Sequence, residues 1–171
     1  MATAAPMDAI ALLKADHARV AGLFEAFEAE TSDGCKRAIA DLICMALTIH
    51  TLIEEDIFYP ACKGAVEDDL LEEAYVAHAG AKVLIAEIGA GGPDGVFFDA
   101  KVKMLSELIE HHVGEEEKRA ECIFAQARKA SLDMDALGRR MTKEMARLTA
   151  AYTRDGPSTP HATSFLVTEL G

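Results

Sequence analysis

Apolar residues in this chain recur every three or four positions almost from end to end, the period of one face of an α-helix. No stretch alternates apolar and polar residues as a half-buried strand does, so an all-α fold is expected. A first helix is predicted from near Asp8 to about Glu30, with a stripe of Ile10, Leu13, His17, Val20, Phe24 and Phe27. Ser32-Asp33-Gly34 breaks it with capping chemistry. A second helix runs from about Cys35 to Ala61 through Ile39, Ile43, Leu47, His50, Ile53, Glu54 and Ile57. Pro60 marks its last turn and Gly64 its stop.

A third helix spans about Asp68 to Ile88 and ends at Gly89-Ala90-Gly91-Gly92-Pro93. A fourth spans about Val96 to Lys129, and Ser131-Leu132-Asp133 reads as a turn and cap into a shorter fifth, Met134 to Ala151. Long helices with short connections predict an antiparallel up-down-up-down four-helix bundle, with the short additional C-terminal helix across one end or side. The length of 171 residues suits one domain. That domain is expected over residues 1–154, with 155–171 as a flexible tail of Gly-Pro-Ser-Thr-Pro character. Phe165, Leu166 and Val167 in the tail are apolar enough to dock on another surface.

A net charge of −12 argues against nucleic acid as a partner, because counterion release needs clustered lysine and arginine. It fits attraction of metal cations. No stretch approaches the roughly 18 apolar residues of a membrane span. The start has no basic segment followed by an apolar one, so a cytoplasmic location is expected. Cys35, Cys44, Cys62 and Cys122 are widely spaced without a CxxC pair, which excludes zinc-ribbon and thioredoxin readings. They are expected as reduced thiols, mostly packed as small hydrophobes.

The chemistry lies in the stripes. The second helix carries His50 and Glu54, the fourth His112 and Glu116, each pair one turn apart on one helical face. One such pair is weak evidence, but both sit in apolar surroundings where an unpaired imidazole or carboxylate is costly. His17 replaces an aliphatic residue between Leu13 and Val20, and His78 follows Leu71 and Tyr75 at helical spacing. Four helices each turning a histidine inward, two with a glutamate one turn on, point to bound metal. Imidazole and carboxylate without thiolate suit iron or manganese, and two carboxylates can bridge a metal pair. Zinc can occupy such a set. His111 points about 100° away from His112. It is expected on the outer face or behind the ligands. Glu55, Glu115 and Glu117 are expected at solvated positions, with the swap of one of them into the ligand set as the alternative. His161 in the tail is expected as incidental. Tyr59 and Tyr75 are candidates to donate hydrogen bonds near the site.

Asp8-Ala9-Ile10 through Asp16-His17 resembles the first signature of the hemerythrin-like (HHE cation-binding) family. His50 to Pro60 resembles another signature and His112 to Phe124 a further one. Leu137-Gly138-Arg139-Arg140-Met141 is similar to the helix that follows the bundle in many relatives. The resemblance implies His17, His50, His78 and His112 as terminal ligands of two Fe ions. Glu54 and Glu116 would bridge them, together with an oxo, hydroxo or water bridge. Oxygen-carrying hemerythrins place a fifth histidine one turn after the first on the third helix, where this chain has Lys82. The Lys82 stem is expected to cover core surface, with its head in water or on a carboxylate. The alternative is an inward ammonium, a local positive charge or proton donor near bound oxygen or peroxide. The implied function is a di-iron protein acting on O2, peroxide or NO, with peroxide handling favoured. An iron- or redox-responsive regulatory module is the alternative.

Overall fold

A computed structural model describes residues 7–156, and these form helices with no strand. The main elements are α1 (Ala9–Ala29), α2 (Asp33–Ile53), α4 (Asp68–Ala90) and α5 (Phe98–Glu117). Each packs on its neighbours in the cyclic order α1, α2, α4, α5 and back to α1, which makes the four-helix bundle. Between α2 and α4 the chain passes through a π-helical turn, Glu54–Phe58, and the short α3 (Tyr59–Cys62). After α5 come α6 (Ile123–Lys129) and α7 (Met134–Asp155), and α7 lies along α1 and α2. The tail residues His161, Phe165, Leu166 and Val167 fall outside the described residues.

Local chemistry explains the ends. Asp8 caps α1 by accepting from Ala11 N at 2.8 Å, and Asp133 caps α7 by accepting from Ala136 N at 2.8 Å. Ser32 occupies the cap position of α2 without a side-chain bond, so the expected serine cap is absent. Glu30 instead folds back and accepts from Thr31 N and Ser32 N, both at 2.8 Å. Gly64, with φ of 76°, takes the left-handed conformation that lets the chain leave α3. Arg37 donates to the carbonyls of Ile88 and Gly91, satisfying groups that the end of α4 leaves open.

Three boundaries differ from the periodicity. The C-terminal helix, expected to be short and to end at Ala151, runs 22 residues to Asp155 because it packs along α1 and α2. The second helix is not regular to its end, because one π turn interrupts it at Glu54. The fourth is not continuous to Lys129: it stops at Glu117 and restarts as α6. The break lets Ile123 and Phe124 turn back under the bundle, where they are almost wholly buried. Glu116 and Ile123 are two turns apart, so a straight helix satisfies the apolar pattern equally well.

The core is divided. One cluster includes Ile10, Leu13, Ile53, Phe58, Leu71, Ile123 and Met141. The other includes Val20, Phe24, Ile43, Leu47, Ile85, Leu105 and Ile109. His17, His50, His78 and His112 interrupt the apolar stripes at one level between them. The hydrophobic effect therefore sets the rotation of each helix, and rotation aims the polar residues inward.

Cys35 is exposed, while Cys44, Cys62 and Cys122 are buried. Burial pushes the Cys44 and Cys62 thiols up to about 12, where almost no thiolate exists at neutral pH. Iodoacetamide is expected to label the native protein once, at Cys35. All four thiols should react after denaturation, which peptide mass spectrometry would check.

Candidate metal centre

The buried polar groups of α1, α2, α4 and α5 close into a ring. His17 Nε2 lies 3.1 Å from His50 Nε2, and His50 Nε2 lies 3.1 Å from Glu54 Oε2. The same Glu54 oxygen is 3.2 Å from His78 Nε2, which is 3.0 Å from His112 Nε2. His112 Nε2 is 3.6 Å from Glu116 Oε2, and that oxygen is 3.4 Å from His17 Nε2. Thus one imidazole pair, His17 and His50, faces another, His78 and His112, with a carboxylate spanning each gap. All six side chains that the helical pattern singles out are brought together.

Each carboxylate is fully buried, and Glu54 Oε1 and Glu116 Oε2 have no hydrogen-bond partner. Such atoms are costly unless something positive meets them. The imidazoles raise the same demand. His17, His50 and His78 each turn Nδ1 to a carboxylate, which places a proton there and leaves Nε2 for the centre. Nitrogens that meet tip to tip at 3.0–3.1 Å need a proton or a cation between them. Two clusters have the spacing of a metal-ligand set: His17, His50, Glu54 and Glu116, and Glu54, His78 and His112. The residues present fit bound cations.

Electrostatics within the ring are strongly coupled. Burial pushes Glu116 well above the carboxylate range, and the neighbouring Glu54 adds to the push. Burial also opposes charge on Glu54, but His50 and then His78 outweigh it and hold Glu54 well below that range. In the absence of cations the two carboxylates therefore differ in protonation. Burial and His78 press His112 down to about 3, and burial with His50 lowers His17. His50 is raised despite burial, because Glu54 and Asp16 favour its cation. Metal entering the ring displaces the protons that otherwise hold it together.

Tyr59 closes one side. Its Oη is 2.8 Å from Glu116 Oε1, 3.1 Å from Glu54 Oε2 and 3.3 Å from His78 Nε2. Burial, then Glu116, drives the phenol well above its usual range, so it stays a donor. The π turn aims it. On an ideal α-helix a residue five places on points about 140° away. Here Tyr59 N–H reaches the Glu54 carbonyl five residues back, and the wider turn brings the two side chains together. Tyr75 instead points to the Glu55 carbonyl at 3.5 Å. Phe124 stacks on the His17 ring at 6.0 Å, which gives the break before α6 its place in the site.

The surrounding carboxylates correct the solvated placing of Glu55 and Glu117. Glu117 Oε1 accepts from His17 Nδ1 at 2.6 Å, and Glu55 Oε1 accepts from His78 Nδ1 at 3.0 Å. Glu115 does lie near the surface, paired with Arg119, and His111 is exposed. Asp16, which the sequence reading did not assign to the site, is buried and accepts from His50 Nδ1 at 2.9 Å. Its signal was present, since Asp16 falls on the apolar stripe between Leu13 and Val20. Lys82 is buried with its ammonium on a carboxylate, donating to both Glu55 oxygens at 2.7 Å.

A bundle whose core is split by a layer of imidazoles and carboxylates is the architecture of proteins that hold cations between helices. The chain belongs to the hemerythrin HHE cation binding domain family, which it matches over residues 8–123. Its fold is similar to the crystal structure of a hemerythrin HHE cation binding domain-containing protein from Mycobacterium kansasii. The TM-score is 0.73 at 20% identity, over 88% of this chain and 95% of that one. No curated protein matches the sequence. No helix among the described residues is long and apolar enough to cross a membrane.

Proposed function

We propose that this protein holds two iron ions in the ring and uses them on dioxygen-derived ligands, with peroxide favoured over simple O2 carriage. His17 and His50 would hold one ion and His78 and His112 the other, with Glu54 and Glu116 shared between them. The observation that carries this reading is the closed ring with two unpartnered buried carboxylate oxygens. Six nitrogen and oxygen donors without a thiolate suit iron or manganese, and two shared carboxylates suit a metal pair. A pair of iron ions supplies redox-active positions that bind O2, peroxide or nitric oxide.

The residues supply the rest. Glu117, Asp16 and Glu55 keep three ring nitrogens protonated at Nδ1, so that Nε2 faces the centre. Tyr59 keeps its proton beside both glutamates and can donate a hydrogen bond to a small ligand arriving there. The void among the four histidines, Leu47 and Ile109 is about 10 Å³, roughly the space of one water, so the site admits only ions and the smallest ligands. Lys82 is engaged with Glu55, which leaves two histidines per iron and a coordination position for solvent or ligand.

Protein purified without chelator is expected to contain two irons per chain, and His50→Ala or Glu54→Ala should reduce this to less than one. Iron-loaded wild type should evolve oxygen from peroxide. If it neither does so nor binds O2 or NO in absorption spectra, the functional reading is wrong. The ring itself would then be judged on metal content alone.

A further inference from the structure

Three of the four histidines stand in front of a carboxylate that is itself paired with a cation. Glu117 behind His17 meets Lys14 at 3.7 Å, and Asp16 behind His50 meets Arg19, whose Nε is 3.0 Å away. Both cations are about half exposed, with side chains 48% and 49% accessible. Water screens such pairs, so they contribute little. The third pair differs. Lys82 is 6% accessible and holds both oxygens of Glu55 at 2.7 Å.

His112 differs in the other direction. Its Nε2 meets His78 and Glu116, and among the described residues no further carboxylate lies within ion-pairing distance of its ring. One half of the ring therefore has two histidines each anchored by a carboxylate. The other half has one, and that one depends on a buried lysine. Without Lys82 the Glu55 carboxylate would lose two charge-assisted hydrogen bonds while still largely shielded from water. Among the described residues nothing else would then hold it against His78, and on swinging outward to water it would release His78 Nδ1–H.

We propose that Lys82 is a positioning residue for one half of the ring alone. By fixing Glu55 it fixes the tautomer and aim of His78, and so sets how tightly the His78–His112 position holds metal. The lysine needs no contact with metal for this role, only the carboxylate relay. The proposal rests on the dinuclear reading above. It adds that the two metal positions are unequally supported.

Anaerobic titration of the metal-free protein with Co2+ tests it, with binding followed calorimetrically and by cobalt visible absorption. Wild type is expected to bind two cobalt ions. Lys82→Met should weaken one of them by about 10- to 100-fold and leave the other unchanged. Glu55→Gln should do the same, and the double variant no more, because both changes cut one relay. Lys82→Arg should recover part of the lost affinity, since it keeps a positive charge on the Glu55 carboxylate. Arg19→Met should leave both affinities within about fivefold. In proton spectra of the cobalt form, the exchangeable ring N–H of His78 should exchange faster in Lys82→Met than in wild type.

The double variant leaves no buried charge unpaired, so it remains informative if Lys82→Met folds poorly. Two cobalt ions on Lys82→Met with wild-type affinities overturn the proposal. Equal weakening of both ions also overturns it, because it marks a merely structural role. Fewer than two ions on the wild type overturns the dinuclear reading, and this one with it.

Discussion

Chelation is expected to lower the melting temperature by on the order of 10 °C, the largest effect forecast for the wild-type chain. The reason is the composition of the layer between the two apolar clusters. Four imidazoles and two carboxylates are buried there, two carboxylate oxygens have no hydrogen-bond partner, and Glu54 and Glu116 repel each other when both are charged. A cation that binds only the folded chain at a thousand times its Kd adds about 4 kcal/mol of stability. In a domain of this size each kcal/mol moves the midpoint by about 2–4 °C. Differential scanning calorimetry with and without chelator, at constant pH and salt, makes the comparison. Equal midpoints would mean that the layer is satisfied by its own protons and that metal contributes nothing to folding.

The second large effect lies away from the site. Gly138→Ala is expected to cost about 3 kcal/mol, near the upper end of ordinary overpacking. At Gly138 the long α7 crosses the start of α1 so closely that an added Cβ would sit 2.2 Å from the Met7 carbonyl oxygen. It would also lie 2.9 Å from Ala9 N and from the Asp8 carbonyl carbon. All three are backbone atoms at a capped helix end, so no side-chain rotation relieves the clash. The helices must separate, which opens the apolar cluster shared by Ile10, Leu13 and Met141. Gly22 provides the contrast. It lies exposed on α1 with no atom within 4 Å of the Cβ site, and Gly22→Ala should be neutral or add up to about 1 kcal/mol. Thermal unfolding of the two variants would separate close approach from helix propensity. A Gly138→Ala midpoint matching wild type would show that α7 is not held where this packing puts it.

The all-α bundle and the fifth helix were legible because burial of one stripe per helix leaves a periodic trace in the chain. Asp8 and Asp133 were legible as helix starts for a local reason: a cap bonds to an amide three residues away. Of residues 155–171, expected as a tail, all but Asp155 and Gly156 lie outside the described residues.

The six inward donors could be picked out because each breaks an apolar stripe, and a stripe reports which side of a helix faces the core. It does not report what a side chain meets on the next helix. That is why Glu55 and Glu117 looked solvated, Asp16 went unassigned, and the pairing of Lys82 with Glu55 could not be named in advance. The π turn that aims Tyr59 and the break before α6 left no trace either, since an apolar period survives one widened turn or a bend after two whole turns. Those features, and the bare approach of α7 to α1 at Gly138, follow from how all the helices pack at once. Periodicity in one dimension chose the inward faces; only close packing in three decided their partners.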